Sequence, residues 1–230
     1  MPELKSRHFV PKCYLRNFAS DQNKNAVNIF NIKRKLSIKN GSMNGQCARS
    51  YFYGRDLTLE RSFQGIEGAH ASITKKLAAS PAPSESDINT LKYFSFLQFL
   101  RTKVAIERQS IAMEEMTDLV FENSPEQRPT KELDSVDAVM SSFTGARPYI
   151  DDLRCILAVN RSSDHFITSD DPVADFNKFY RQKISRHDAY GIISSGYCIY
   201  IPISPSRSCL TETTTCMAST KLCGKRRNPR

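Results

Sequence analysis

The chain has 230 residues, 33 Lys and Arg against 24 Asp and Glu, a formal charge of +9, seven Cys and no Trp. That is one domain's length, and with 40% hydrophobic residues it can bury a core, which excludes collagen-like, disulfide-scaffold and wholly disordered classes. The longest apolar run, Tyr197 to Ile203, is far short of the roughly 20 residues that span a bilayer, and the first residues lack the apolar stretch of a secretory signal. A cytoplasmic location with the cysteines as thiols is therefore expected.

The charge is unevenly placed. Residues 1–55 hold eleven Lys and Arg against Glu3 and Asp21, a balance of +9, residues 56–205 hold sixteen against twenty-one, −5, and residues 206–230 hold six against Glu212, +5. A basic block suits an anionic partner, nucleic acid or nucleotide, because each neutralised phosphate releases counterions. An ordinary solvated surface carries the same charges.

In chain order, Pro11 stands at a first helical position before Cys13, Tyr14, Leu15 and Phe18, whose spacing predicts a short helix. Val27 and Ile29, then Leu36 and Ile38, alternate on either side of Lys33-Arg34-Lys35, which predicts a hairpin with a basic tip, ended by Asn40-Gly41. Tyr51-Phe52-Tyr53 reads as a third short strand. Leu59, Phe63, Ile66, Ile73 and Leu77 form one helical stripe that stops at Ser80-Pro81. Ser84, three residues before Asp87, predicts a capping box at the start of a second long helix that carries Leu91, Phe94, Leu97, Leu100, Val104, Ile111, Met116 and Leu119 to about Phe121. A weaker helix over Glu132 to Phe143 is closed by Gly145 and Pro148. Cys155 to Val159 and His165 to Thr168 read as a hairpin, Tyr197 to Ile203 as a further strand, and residues 174–195 as a long loop. The expected class is α+β, a small N-terminal hairpin, a pair of long helices and a C-terminal antiparallel β portion, cut short at its end. Residues 1–205 would form one domain, with a basic part (1–55), a helical part (56–146) and a β-rich part (147–205), and residues 206–230 a disordered basic tail.

The chemistry-bearing residues are few. His8 precedes the first helix, where an imidazole can act as general acid or base or bond to free backbone groups. Glu60 and Glu67, two turns apart on one helix face beside Phe63 and Ile66, would be desolvated enough to need a proton, a metal or a cation. Arg101 is that cation: either a salt bridge with Glu67 or, with Gln98 one turn earlier, a clamp for phosphate. Asp170 and Asp171 follow a strand directly, as magnesium ligands, a general base or a turn that Thr168 and Ser169 brace. Phosphate-loop, dinucleotide, nucleophile-elbow and His-Glu-x-x-His motifs are all missing, and Cys209, Cys216 and Cys223 lack a fourth zinc ligand.

Several of these residues occur in a recognisable order: Arg7-His-Phe-Val-Pro-Lys-Cys-Tyr-Leu-Arg-Asn-Phe18, Val27 to Ile32, Tyr51 to Tyr53, Glu60 to Glu67, Gln98 to Arg101, Phe166-Ile-Thr-Ser-Asp-Asp-Pro-Val173 and Ile201 to Pro205. Over residues 7–205 the chain resembles the mainly bacterial family of domain of unknown function 4238. The resemblance implies an α+β fold and no established reaction, and relatives continue past the Ile201 strand with apolar elements, so the threonine-rich end reads as a truncation or frameshift. Two functions suit these residues. One is a hydrolase acting on a phosphodiester or nucleotide, such as a nuclease, with His8, Glu67, Arg101 and Asp170 catalytic, Tyr14, Gln98 and Ser169 on the substrate, and Glu60 and Asp171 holding magnesium. The other is a non-catalytic nucleic-acid or protein binding module whose polar residues form a buried structural network.

Overall fold

The computed structural model describes residues 6–53, 58–79, 82–128, 135–179, 192 and 194–213. The fold is α+β. In chain order it has β1 (Ser6–His8), α1 (Lys12–Leu15), β2 (Ala26–Asn31), β3 (Leu36–Ser42), β4 (Ala48–Ser50), α2 (Thr58–Ala79), α3 (Glu85–Arg101), α4 (Lys103–Val120), α5 (Ser135–Asp151), β5 (Leu153–Val159), β6 (Ala174–Asn177), β7 (Tyr197–Ser204) and β8 (Arg207–Thr213). β1 pairs with β4, β2 with β3, and the remaining strands form an antiparallel sheet in the order β5-β8-β7-β6.

The core is built round α3. Its buried residues, among them Leu91, Phe94, Leu97, Gln98, Leu100 and Arg101, face all directions, as they must in a helix packed on every side. It touches α2, α4, α5, β5 and β7. The expected capping box starts it: Ser84 Oγ accepts from Asp87 N at 3.2 Å, and Ser84 N donates to Asp87 Oδ2 at 2.8 Å.

The single long helix expected to run to Phe121 is in fact two. Thr102 is extended (φ −72°, ψ 160°), and its Oγ1 accepts from Ala105 N at 3.1 Å as the N-cap of α4. The same hydroxyl donates to Asp171 Oδ1 at 2.7 Å, so a residue sixty-nine positions away fixes the break. The apolar period runs across the joint without marking one inner face: its α3 members are buried, whereas Val104, Ile111, Met116 and Leu119 of α4 are exposed. The third helix is also longer than expected. α5 continues through Gly145 and Pro148 to Asp151, with Pro148 in its last turn, where one lost backbone bond is tolerable.

The hairpin β2–β3 forms with Lys33-Arg34-Lys35 in its loop, but Asn40-Gly41 is a bulge inside β3 rather than its end. Asn40 has φ 52°, and a Cβ on Gly41 would come within 2.5 Å of Ile29 Cδ1. Tyr51 to Tyr53 is a turn, not a strand, entered at Tyr51 with φ 53°; the strand is Ala48–Ser50. No hairpin joins β5 to residues 165–168, which are unpaired as strand; Phe166 N instead donates to Pro205 O at 2.9 Å. Part of the long loop expected from 174 is β6, and residues 180–191 and 193 lie outside the described residues.

The boundary expected after Pro205 needs the largest correction. Pro205-Ser206 is the two-residue turn of the β7–β8 hairpin, and β8 lies inside the sheet with β5 on one side and β7 on the other. Ser208, Cys209 and Thr211 of β8 are each no more than 1% exposed. These small side chains read as tail by composition, yet Ser208 on one face and Cys209 and Thr211 on the other fit a strand covered on both sides. Residues 214–230 lie outside the described residues. No described helix is long and apolar enough to cross a membrane.

Candidate functional site

The polar residues singled out in the sequence fall into three groups. The first surrounds Arg101. Its side chain is 1% exposed; Nε donates to Gln98 Oε1 at 3.1 Å, Nη1 stands 2.7 Å from Glu67 Oε1, and the guanidinium lies 5.1 Å from the Phe63 ring centre. The expected helix-to-helix ion pair therefore exists. The pair is a charge contact rather than a fork, because neither Nη1 nor Nη2 makes a directed hydrogen bond among the described residues. Gln98 is used at both ends, since its Nε2 donates to Phe9 O at 2.8 Å. That occupancy corrects its assignment to substrate: the amide ties β1's exit to α3. Glu60 belongs to this group by charge. Burial and the Glu67 carboxylate push its carboxyl above the usual range, against the pull of Arg101 and Arg7. Burial and the same glutamate push the Cys13 thiol up to about 11, so it is no thiolate at neutral pH.

The second group anchors the Thr168-Ser-Asp-Asp-Pro172 loop. Tyr14, fully buried, donates its hydroxyl to Pro202 O at 2.6 Å and lies 2.8 Å from Thr168 Oγ1. It pins the loop to β7 and is enclosed, which corrects its assignment to substrate as well. Ser169 Oγ donates to Asp171 O at 2.7 Å and accepts from Asp171 N at 3.1 Å, the turn-bracing arrangement. Asp171 is held by Thr102 and by Arg108 Nη2 at 3.3 Å. Asp170 and Ser169 are exposed.

His8 stands apart from both. Its Nε2 is 3.4 Å from Met43 O, and burial together with Lys12 lowers its pKa, against that bond, so the ring is neutral at neutral pH. Glu60 and Asp171, expected as magnesium ligands, have different neighbours, and no three His, Cys, Asp or Glu side chains among the described residues are grouped to hold a metal. Of the residues expected in one site, Glu67, Arg101 and Gln98 are in contact, with Glu60 near them. His8 and Asp170 share no hydrogen bond or ion pair with them among the described residues.

Sequence reading passed over several buried polar groups. Arg7 is 2% exposed, and only its alternation with His8 in β1 hinted at it. Lys92, 5% exposed, donates to Asp151 O at 2.8 Å and Leu153 O at 3.2 Å, closing the end of α5. His70 has no ligand-spaced neighbours in sequence; in the fold it stacks on Phe94, ring centres 3.7 Å apart, and its buried Nδ1 has no hydrogen-bond partner among the described residues. Burial lowers its pKa from 6.5 to about 3, with Arg101 adding to the effect. A folded pKa below the unfolded one means stability that is full above the unfolded pKa and is lost as pH falls towards the folded one. Stability is expected to fall between about pH 6.5 and 3 on account of His70, by on the order of 1.4 kcal/mol per pH unit. Urea unfolding of wild type and His70→Phe across that range should give a shallower slope for the variant.

Residues 7–218 match the family model described as "Protein of unknown function (DUF4238)". The match spans nearly the whole chain, and the chain belongs to that family. It also extends past Pro205 through β8, in accord with the place of that strand in the sheet. No curated protein and no solved structure matches the chain.

Proposed function

We propose that this domain is a non-catalytic nucleic-acid binding module that uses the β2–β3 hairpin as its anion-facing surface and the Arg101 network as internal structure. The carrying observation is the hairpin itself. Residues 31–40 are exposed without interruption, bear Lys33, Arg34, Lys35 and Lys39, and fall in a stretch with no acidic residue between Asp21 and Asp56. A two-stranded ribbon of this kind fits a groove or follows a phosphate backbone. Phe30, 60% exposed, stands opposite Ser37, with Lys39 two positions further along β3 and Lys35 in the loop just before it. An aromatic face between cations can stack on a base.

The test is fluorescence anisotropy with single-stranded and duplex RNA and DNA. Reversing Lys33, Arg34 and Lys35 to Glu is expected to weaken binding about a hundredfold at low salt and to reduce the salt slope by about 2 to 3. Binding unchanged in that variant, or no binding to any of the four probes, overturns the reading.

One observation favours the hydrolase reading, with its acid-base or magnesium chemistry: a half-buried Glu60 with a raised pKa beside an arginine that still has donors to offer. The same probes, incubated with and without magnesium, give its test. Turnover lost in Glu60→Gln with binding intact would support it.

A further inference from the structure

The surface of α4 carries more exposed apolar area than a monomer's helix needs. Val104 is 43% exposed, Ile111 57% and Leu119 74%. At 3.6 residues per turn, Val104, Arg108, Ile111, Glu115 and Leu119 share one face, set off from the side where Ala105 is buried. Beside that face a cavity of about 290 Å³, lined by Leu100, Ala105, Ala112, Met113, Met116 and Ser142, continues the apolar surface. Contiguous exposure of this kind marks an interaction site.

We propose that α4 pairs antiparallel with α4 of a second copy of this chain, about a two-fold axis between Ile111 and Ala112. The charges select both partner and direction. Residues 103–111 carry Lys103 and Arg108 against Glu107, whereas residues 112–120 carry Glu114, Glu115 and Asp118 and no cation. Parallel pairing would lay acidic half on acidic half; antiparallel pairing lays the basic half on the acidic one. With the axis between Ile111 and Ala112, Val104 meets Leu119, Ile111 meets Ala112, and Arg108 meets Glu115, each twice by symmetry. Such a face is complementary to itself. Arg108 is half exposed while it contacts Asp171 at 3.3 Å and Asp175 at 4.0 Å, so a further carboxylate can reach its open side.

Sedimentation equilibrium of the full chain, in a concentration series reaching about 100 µM, reads the proposal. The expected result is a concentration-dependent mass approaching twice 26.1 kDa, and a monomer throughout for Ile111→Glu, an exposed position where circular dichroism should show the fold retained. Arg108→Glu and Glu115→Arg should each remain monomeric alone and form a dimer when mixed, because only the mixed pair places opposite charges at both contacts. A monomeric wild type at every concentration, a dimer untouched by Ile111→Glu, or a mixture that does not associate overturns it.

Discussion

A chain ended after Ser206 is expected to have no cooperative unfolding transition. The cut removes β8, which pairs with β5 from Leu153–Thr213 to Val159–Arg207 and with β7 along its other edge. Both neighbours would lose their ladder bonds together, and β5 would be detached from the sheet altogether. The core would lose Cys209, fully buried among residues that include Leu100, Ile199 and Ile201. β7 would keep only β6, four residues long, and Tyr14 would be bonding to a strand with an open edge. Thermal melts followed by near-ultraviolet circular dichroism, with dye binding to exposed apolar surface, would check this against the full chain. A sharp melt in the shortened chain would show that β8 is dispensable and that the domain does end at Pro205.

The second large effect is at Arg101. Replacement by Leu removes one partner of a buried ion pair, leaves Gln98 Oε1 without a donor and strands Glu67 beside Glu60, at a cost of about 3–5 kcal/mol. The Glu67 side chain is 24% exposed, so some of that cost is relieved by water, and the lower end of the range is the better expectation. Replacing both partners, Glu67→Leu with Arg101→Leu, should recover more than half of the loss, because no uncompensated charge then remains. Urea unfolding of both single variants and the double gives the coupling directly. The double also separates the two functional readings. A structural network predicts nucleic-acid affinity within about twofold of wild type; a catalytic one predicts that turnover is lost while stability returns. A loss below about 0.5 kcal/mol in the single variants would mean that the pair is solvated and contributes nothing measurable.

The polar cluster was partly legible because its signals were local. Glu67 lies on a helical face, and Arg101 falls on the buried stripe of α3, where only a partnered arginine is tolerable. Their pairing follows from those two facts. Gln98 was misread because its position suggested a pocket, while the partner that closes it, the carbonyl of Phe9, belongs to the backbone and leaves no mark in side-chain patterns. Tyr14 shows the same limit, since its acceptor is the carbonyl of Pro202. His8 and Asp170 looked like members of the site only because their chemistry was suitable, and suitability says nothing of where a strand or loop will carry a side chain.

By itself the sequence determined what a few neighbouring residues can settle: the Ser84 and Asp87 capping box, the basic hairpin loop, the apolar faces of α2 and α3, and the strand at Tyr197. Each rests on hydrogen bonds or a repeat within one or two turns or strands, where spacing alone specifies the contact. The tertiary structure decided the break at Thr102, the insertion of β8 between β5 and β7, the closing of Gln98 and the burial of His70. Those depend on partners sixty-nine, fifty-four, eighty-nine and twenty-four residues away, Asp171, Cys155, Phe9 and Phe94. Contacts at that range are selected by how surfaces fit once the chain has collapsed, and a seryl, threonyl or glutaminyl side chain is written alike whether it ends in water or in the core.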